Sequence, residues 1–182
     1  MPQKILILNG SPRKNGNTTK LVEAFTKGAR NSGNTVTTFF LDTMNIHPCK
    51  GCLGGGKNPA SPCTQKDDMD LIYPAYRDAD VVVLASPLYY DAVTGQMKAA
   101  FDRLFAVAEG NPGYQSPPKK CALLMVAGDD DFSLATYWYD HLLDHLAWTN
   151  IGKVLCGHAL VIGDIKDRPE LRDAETLGAS IL

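Results

Sequence analysis

The sequence has no excess of positive charge: 18 Lys and Arg stand against 20 Asp and Glu, a formal net charge of −2 over 182 residues. Neutralising a phosphate backbone needs a basic surface, so a nucleic-acid partner is not expected. Long hydrophobic runs are absent too. Ala79–Leu84, the longest kind of apolar stretch present, is interrupted by Asp80 and falls far short of the about 20 residues that span a bilayer, so no membrane partner is expected either. Near the N-terminus only Ile5–Leu8 is apolar, too short for a signal-peptide core. The five cysteines are an odd number with no secretory signal, which argues for reduced thiols over a disulfide framework. Repeats, low-complexity tracts and composition shifts are lacking. With 45% hydrophobic and 21% charged residues, the expectation is one cytoplasmic globular domain over residues 1–182.

What is present is alternation. Lys4–Asn9 reads as a strand apolar on both faces, as a central parallel strand must be. Further strands are expected at Thr35–Leu41, Val81–Ala85, Cys121–Ala127 and Val154–Ile162, the last broken by Gly157. Helical spacing fills the gaps: Asn17–Ala29, Asp68–Arg77, Gln96–Ala108, Phe132–Trp148, and from Pro169 to the C-terminus. Five strand–helix alternations predict an open, doubly wound α/β sheet with helices on both faces. Two segments are longer than ordinary connections: a Gly-, Pro- and Cys-rich insertion over 43–66, and 110–119.

Ligands of open α/β sheets bind at the carboxyl ends of the strands. The loop after the first strand, Asn9-Gly10-Ser11-Pro12-Arg13-Lys14-Asn15-Gly16-Asn17-Thr18-Thr19, combines hydroxyls, amides and two cations ahead of a helix N-terminus. Backbone N–H groups and the helix dipole there favour an anion such as a terminal phosphate. A plain polar turn with Asn17 or Thr18 as N-cap is the competing reading. Other phosphate motifs fail. No Gly-x-Gly-x-x-Gly follows the first strand. Gly51-Cys-Leu-Gly-Gly-Gly56-Lys57-Asn58 has P-loop spacing, but Asn58 replaces the Ser or Thr and no strand precedes it.

Gly10–Thr18 resembles the FMN-phosphate loop of the flavodoxin-like NADPH-dependent FMN reductase family, particularly its multimeric-flavodoxin and iron–sulfur flavoprotein branch. Asp67-Asp68-Met69 after the cysteine loop, Asp80–Tyr90 and Lys98–Arg103 agree in order and spacing, so the resemblance covers residues 3–130. It implies the flavodoxin-like five-stranded parallel sheet of order 2-1-3-4-5. It also implies that Ser11, Arg13, Asn17 and Thr18, with Asn15 in the same loop, hold the FMN phosphate while Gly16 lets the backbone approach. Pro87, Leu88, Tyr89 and Tyr90 would wall the flavin ring, the alternative for the tyrosines being a sheet cap or subunit contact. Gly128 and Asp129, after the fourth strand, would form the third wall; one of Asp129, Asp130 and Asp131 is expected to cap the helix that follows.

The cysteine loop departs from the branch. There the pattern is four cysteines, Cys-x2-Cys-x2-Cys followed by a fourth; here Cys49, Cys52 and Cys63 remain and Gly55 stands at the third position. Three thiolates cannot complete an all-cysteine ligation, so no iron–sulfur cluster is expected. His47 with the three cysteines matches a Cys3His zinc site by count, and Cys49-x-x-Cys52 matches a redox pair; the leading reading is a relic loop at the cofactor entrance or a subunit contact. Cys121 and Cys156 read as buried small hydrophobes. His141 and His145 are one turn apart, but the Glu of a zinc-protease helix is missing, and Tyr137, Trp138, Leu142, Leu146 and Trp148 read as core or subunit contact.

The expected function is an FMN-dependent oxidoreductase in which NADPH or NADH reduces the flavin, which passes electrons to a quinone, a free flavin or a similar small acceptor. No catalytic side chain and no metal ligand are nominated, because the flavin carries the chemistry. Members of the family are typically homodimers or homotetramers. The alternatives are a flavodoxin-type electron carrier, disfavoured by the weak net charge, and a flavin-free binding module on the same fold.

Overall fold

Strands that are apolar on both faces can only be satisfied by helices on both sides of one sheet. The computed structural model describes all 182 residues. Its strands are β1 (Lys4–Asn9), β2 (Thr35–Phe40), β3 (Val81–Pro87), β4 (Lys120–Val126) and β5 (Thr149–Cys156), all parallel, in the order β2-β1-β3-β4-β5. The helices are α1 (Asn17–Asn31), α2 (Met69–Asp78), α3 (Gly95–Arg103), α4 (Phe105–Ala108), α5 (Ser133–Leu146) and α6 (Pro169–Ala179). Alternate residues of the strands feed two cores. Ile5, Ile7, Val81, Val83 and Leu124 pack with Leu21, Phe25 and Ala174 under α1 and α6. Leu6, Leu8, Val82, Leu84 and Leu123 pack with Ile72, Met97, Val107 and Tyr139 under α2 to α5.

Three expected elements are corrected. The fifth strand is Thr149–Cys156 and not Val154–Ile162. Leu160, Val161 and Ile162 are 70%, 63% and 56% exposed in the loop beyond it. Their run of apolar residues mimics a strand, but side chains take up the backbone groups that a ladder would use. Asn17 Nδ2 donates to the carbonyls of Ala159 and Val161, and the Asp164 carboxylate accepts from Val161 N–H. The helix expected over Gln96–Ala108 breaks at Leu104. Tyr73 O–H donates to the Arg103 carbonyl, and Val107 N–H turns to the nearer Leu104 carbonyl instead. The helix expected to reach Trp148 stops at Leu146, because Ala147 takes a left-handed conformation (φ 53°).

No helix is long and apolar enough to cross a membrane. Cys121 and Cys156 are buried in their strands, and burial raises both thiols above their ordinary range.

Candidate cofactor site

Four loops at the carboxyl ends of β1, β3, β4 and β5 line one cleft, the place where open α/β sheets bind their ligands. The β1–α1 loop contributes Ser11, Pro12, Arg13, Gly16, Asn17 and Thr18. Its shape comes from local bonds. Asn9 Oδ1 accepts from Ser11 N–H (3.0 Å), and Ser11 Oγ accepts from Arg13 N–H (3.2 Å). Gly16 N–H donates to the Arg13 carbonyl (3.0 Å). A Cβ at Gly16 would lie 2.9 Å from the Arg13 Cβ, so only glycine allows this turn to close.

The competing reading, a polar turn with Asn17 or Thr18 as N-cap, does not hold: Gly16 occupies that position, and no side chain caps the first turn of α1. The N-terminus of a 15-residue helix therefore opens into the cleft with its N–H groups uncapped by any side chain. Arg13 is the one charged residue lining the cleft, and no carboxylate lines it. Ser11 and Thr18 are almost fully buried. This combination suits a phosphate.

Thr94 ties the first two walls together. Its hydroxyl donates to the Gly10 carbonyl (2.8 Å) and accepts from Met97 N–H as the cap of α3, while its own N–H donates to Ser86 Oγ. From the second wall Pro87, Leu88 and Tyr89 line the cleft, with Leu88 N–H held by the Val126 carbonyl. Tyr90 does not line it. It is fully exposed at the tip of a tight turn, where Tyr89 and Ala92 exchange backbone bonds and Tyr90 and Asp91 both have positive φ (46° and 61°).

The third wall is Val126, Ala127 and Gly128. Asp129 lies outside and is exposed. Asp131 is the aspartate at the start of α5, accepting from Ser133 N–H (2.9 Å). The Ser133 hydroxyl and N–H lower the Asp131 carboxyl below its ordinary value. Asn15 also stands apart, with Lys14 in a groove facing the β2 edge.

A fourth wall was not anticipated. Ala159 and Leu160 line the cleft because the β5–α6 loop folds over the β1–α1 side. Asn17 is the clasp: besides donating to Ala159 (2.9 Å) and Val161 (2.7 Å), its Oδ1 accepts from Gly163 N–H (3.0 Å). Arg13 Nη1 adds a contact to the Leu160 carbonyl (3.3 Å). The signal for this wall in the sequence is Gly157, which interrupts the apolar run over 154–162.

The cysteine loop forms a second, separate pocket. Cys49, Cys52 and Cys63 line it with Arg103, Gln65 and Glu109. Cys49 and Cys52 are exposed and Cys63 is buried. The Thr64 hydroxyl and the Gly54 N–H lower the Cys52 thiol below its ordinary value. Arg103, 1% exposed, is the hub. It pairs with the Asp67 carboxylate at 2.7 and 3.1 Å and donates to the carbonyls of His47 (2.7 Å) and Gln65 (3.3 Å), gripping both ends of the loop. Its Nε is buried without a partner. Burial works against the Asp67 charge, but bonds from Arg103, His47 N–H and Met69 N–H outweigh it and hold the carboxyl below its usual range. No three donor groups converge on one position fit for a metal ion, in this loop or near His141, whose ring stacks on Tyr137 (6.0 Å).

A family model described as NADPH-dependent FMN reductase matches residues 3–160. An iron–sulfur flavoprotein of Archaeoglobus fulgidus is 42% identical over 95 residues, 52% of this chain and 42% of that protein. One from Methanosarcina thermophila is 38% identical over 100 residues, 55% of this chain and 51% of that protein. The chain thus spans about half the length of the curated relatives it matches. Among solved structures, the NAD(P)H:quinone oxidoreductase from Methanothermobacter marburgensis superposes with a TM-score of 0.75 over 99% of both chains at 21% identity, a likeness of fold.

Proposed function

The chain belongs to the NADPH-dependent FMN reductase family, and from that premise we propose that it is an FMN-dependent oxidoreductase using NADPH or NADH as donor. The observation that carries the reading is the uncapped N-terminus of α1 opening, beside Arg13 and the buried Ser11 and Thr18, into a cleft with an apolar far side. In this reading Ser11, Thr18, Arg13 and the first N–H groups of α1 hold the phosphate. Pro87, Leu88 and Tyr89 flank the ring, and the backbone around Ala127 and Gly128 closes the site. Asn17 acts through the β5–α6 loop. Bound FMN supplies hydride acceptance from the nicotinamide and delivery of electrons to a quinone, free flavin or similar acceptor. The protein's part is to bind, orient and exclude water, so no acid–base pair is assigned.

No iron–sulfur cluster belongs to this reading, because Gly55 leaves only three thiolates in the loop. We place the protein in the cytoplasm as a homodimer or homotetramer. The exposed Leu160, Val161 and Ile162, with Tyr89 and Tyr90 across the cleft mouth, support a contact between copies there.

The test is an absorbance spectrum of the protein with FMN, before and after anaerobic NADPH or NADH. Bound flavin that bleaches, and reoxidises with turnover when a quinone is added, is the expected result. Bound flavin left oxidised by both donors points to an electron carrier, and no binding overturns the flavoprotein reading.

A further inference from the structure

We infer that Cys49 and Cys52 are a dithiol that a hydroperoxide oxidises, with Cys52 as the attacking sulfur and Cys49 as the thiol that closes the disulfide. Of the five cysteines only these two are exposed, and both line the second pocket. They differ in what holds the sulfur. Cys52 Sγ lies 3.3 Å from the Thr64 hydroxyl, whereas Cys49 Sγ accepts only from Gly51 N–H, at 3.4 Å. The Thr64 hydroxyl and the Gly54 N–H lower the Cys52 thiol, and Glu109 on the pocket wall opposes them without cancelling them. Thiolate is the form that attacks, so Cys52 reacts first. Arg103 adds a donor to the same wall. Its side chain is fully buried and its Nε–H has no partner, an unspent N–H for an oxygen-bearing guest.

The backbone permits closure. Residues 49–55 form no helix, strand or turn, and none of them makes a backbone–backbone hydrogen bond. The loop is clamped outside this stretch, where Arg103 holds the carbonyls of His47 and Gln65. A disulfide needs its Cα atoms about 4.4–6.8 Å apart. A type II turn brings its first and fourth residues within about 7 Å, provided the third has the positive φ that suits glycine. In Cys49-Lys50-Gly51-Cys52 the third residue is Gly51, already at φ +61°. Closing the pair therefore breaks no backbone–backbone bond. The chemistry balances with the hydroperoxide as sole oxidant. The Cys52 thiolate attacks one oxygen of ROOH; the S–O bond forms, the O–O bond breaks, and the alkoxide leaves as ROH with the proton the thiol gave up. Cys49 sulfur then attacks the sulfenic sulfur of Cys52; the S–S bond forms, the S–O bond breaks, and water leaves. Cys63, Cys121 and Cys156 are buried and take no part. Nor does the flavin reading, because the cleft and the loop share no lining residue.

Hydrogen peroxide added to the reduced full chain, with a metal chelator and no nicotinamide, tests the inference by thiol titration and peptide mapping. The wild type is expected to lose two thiols together, as a Cys49–Cys52 disulfide, at about one peroxide per chain. Cys49→Ser should stop at a sulfenic acid on Cys52 that dimedone traps. Cys52→Ser should lose the fast reaction and keep Cys49 as a thiol. Thr64→Val should slow the oxidation of Cys52 and Thr64→Ser should restore it, a pattern that a bystander hydroxyl would not produce. Dimedone trapped on Cys49, a disulfide to Cys63 or a disulfide between chains overturns the inference, as does Cys52→Ser reacting at the wild-type rate. Equal rates for the two Thr64 variants overturn the assignment of Cys52 as the attacking sulfur. FMN titration of the same samples reports the cleft separately, so a chain that binds no flavin but closes the disulfide counts against the proposed function and not against the dithiol.

Discussion

Two irregular regions that carry the family's linked motifs, the loop after β1 and the cysteine loop, differ in what their polar groups are doing. In the first, the loop folds through its own backbone and leaves the end of α1 uncapped, facing a cleft with one cation and no carboxylate. In the second, the loop is closed by the protein's own charges, with Arg103 gripping both ends and pairing with Asp67. The first motif keeps its pattern and leaves donors unspent, while the second has lost one thiol and its ends are held by Arg103. Substitutions in the two regions should therefore separate stability from cofactor affinity.

The largest separation is expected at Asp67. Its side chain is 1% exposed and the Arg103 guanidinium has no other anion, so Asp67→Asn leaves a buried charge uncompensated and should cost about 3–5 kcal/mol of unfolding free energy. FMN affinity, read on the folded fraction, should hold. The carboxyl of Asp67 is depressed in the folded state, so its contribution is complete above the ordinary carboxylate range and is lost as pH falls through the folded value. Denaturant unfolding at several acidic pH values should give a shallower decline for Asp67→Asn than for wild type. Parallel curves would mean that Asp67 and Arg103 do not bind the loop together.

Asn17 is where the comparison would blur, because this residue serves the cleft by a structural route. Asn17→Ala removes three bonds to the β5–α6 loop and leaves backbone groups there without partners, a loss of about 2–3 kcal/mol in stability. Faster amide exchange over residues 159–163 should accompany weaker FMN binding. Weaker binding with unchanged exchange would make Asn17 a direct phosphate contact. Arg13→Ala is the complementary case. Arg13 is exposed and the one hydrogen bond of its side chain is long, so unfolding should stay within about 0.5 kcal/mol of wild type. The FMN dissociation constant should rise about tenfold, the lower end for a bond to a charged group.

Much of this was legible beforehand, for physical reasons. Apolar residues at successive positions of β1, β3 and β4 can only mean buried parallel strands, and a hydroxyl-rich loop between strand and helix can only sit at the sheet's carboxyl end. The edge strand β5 was misplaced because it begins on polar Thr149 and Asn150 and is followed by Leu160–Ile162, apolar residues that stay in solvent. The hold of Asn17 on the β5–α6 loop was not legible, because the carbonyl of Ala159 that its amide meets is 142 residues away in sequence.

The smallest expected effect bears on Tyr90, which resemblance assigned to the flavin and the structure puts in solvent. Tyr90 and Asp91 both occupy the left-handed region in a two-residue turn closed by Tyr89 and Ala92, the geometry that Asn-Gly adopts without strain. Tyr90→Asn together with Asp91→Gly should therefore stabilise the protein by about 1 kcal/mol, seen as a higher unfolding midpoint. If Tyr90 serves the chain only as a turn residue, FMN affinity and reduction by the nicotinamide will match wild type. A gain in stability with a loss of affinity would mean that the strained turn is maintained to hold an aromatic ring over the cleft mouth, against the flavin or against a second copy of the chain. Sedimentation of the variant separates those two, since only the second changes the oligomeric state.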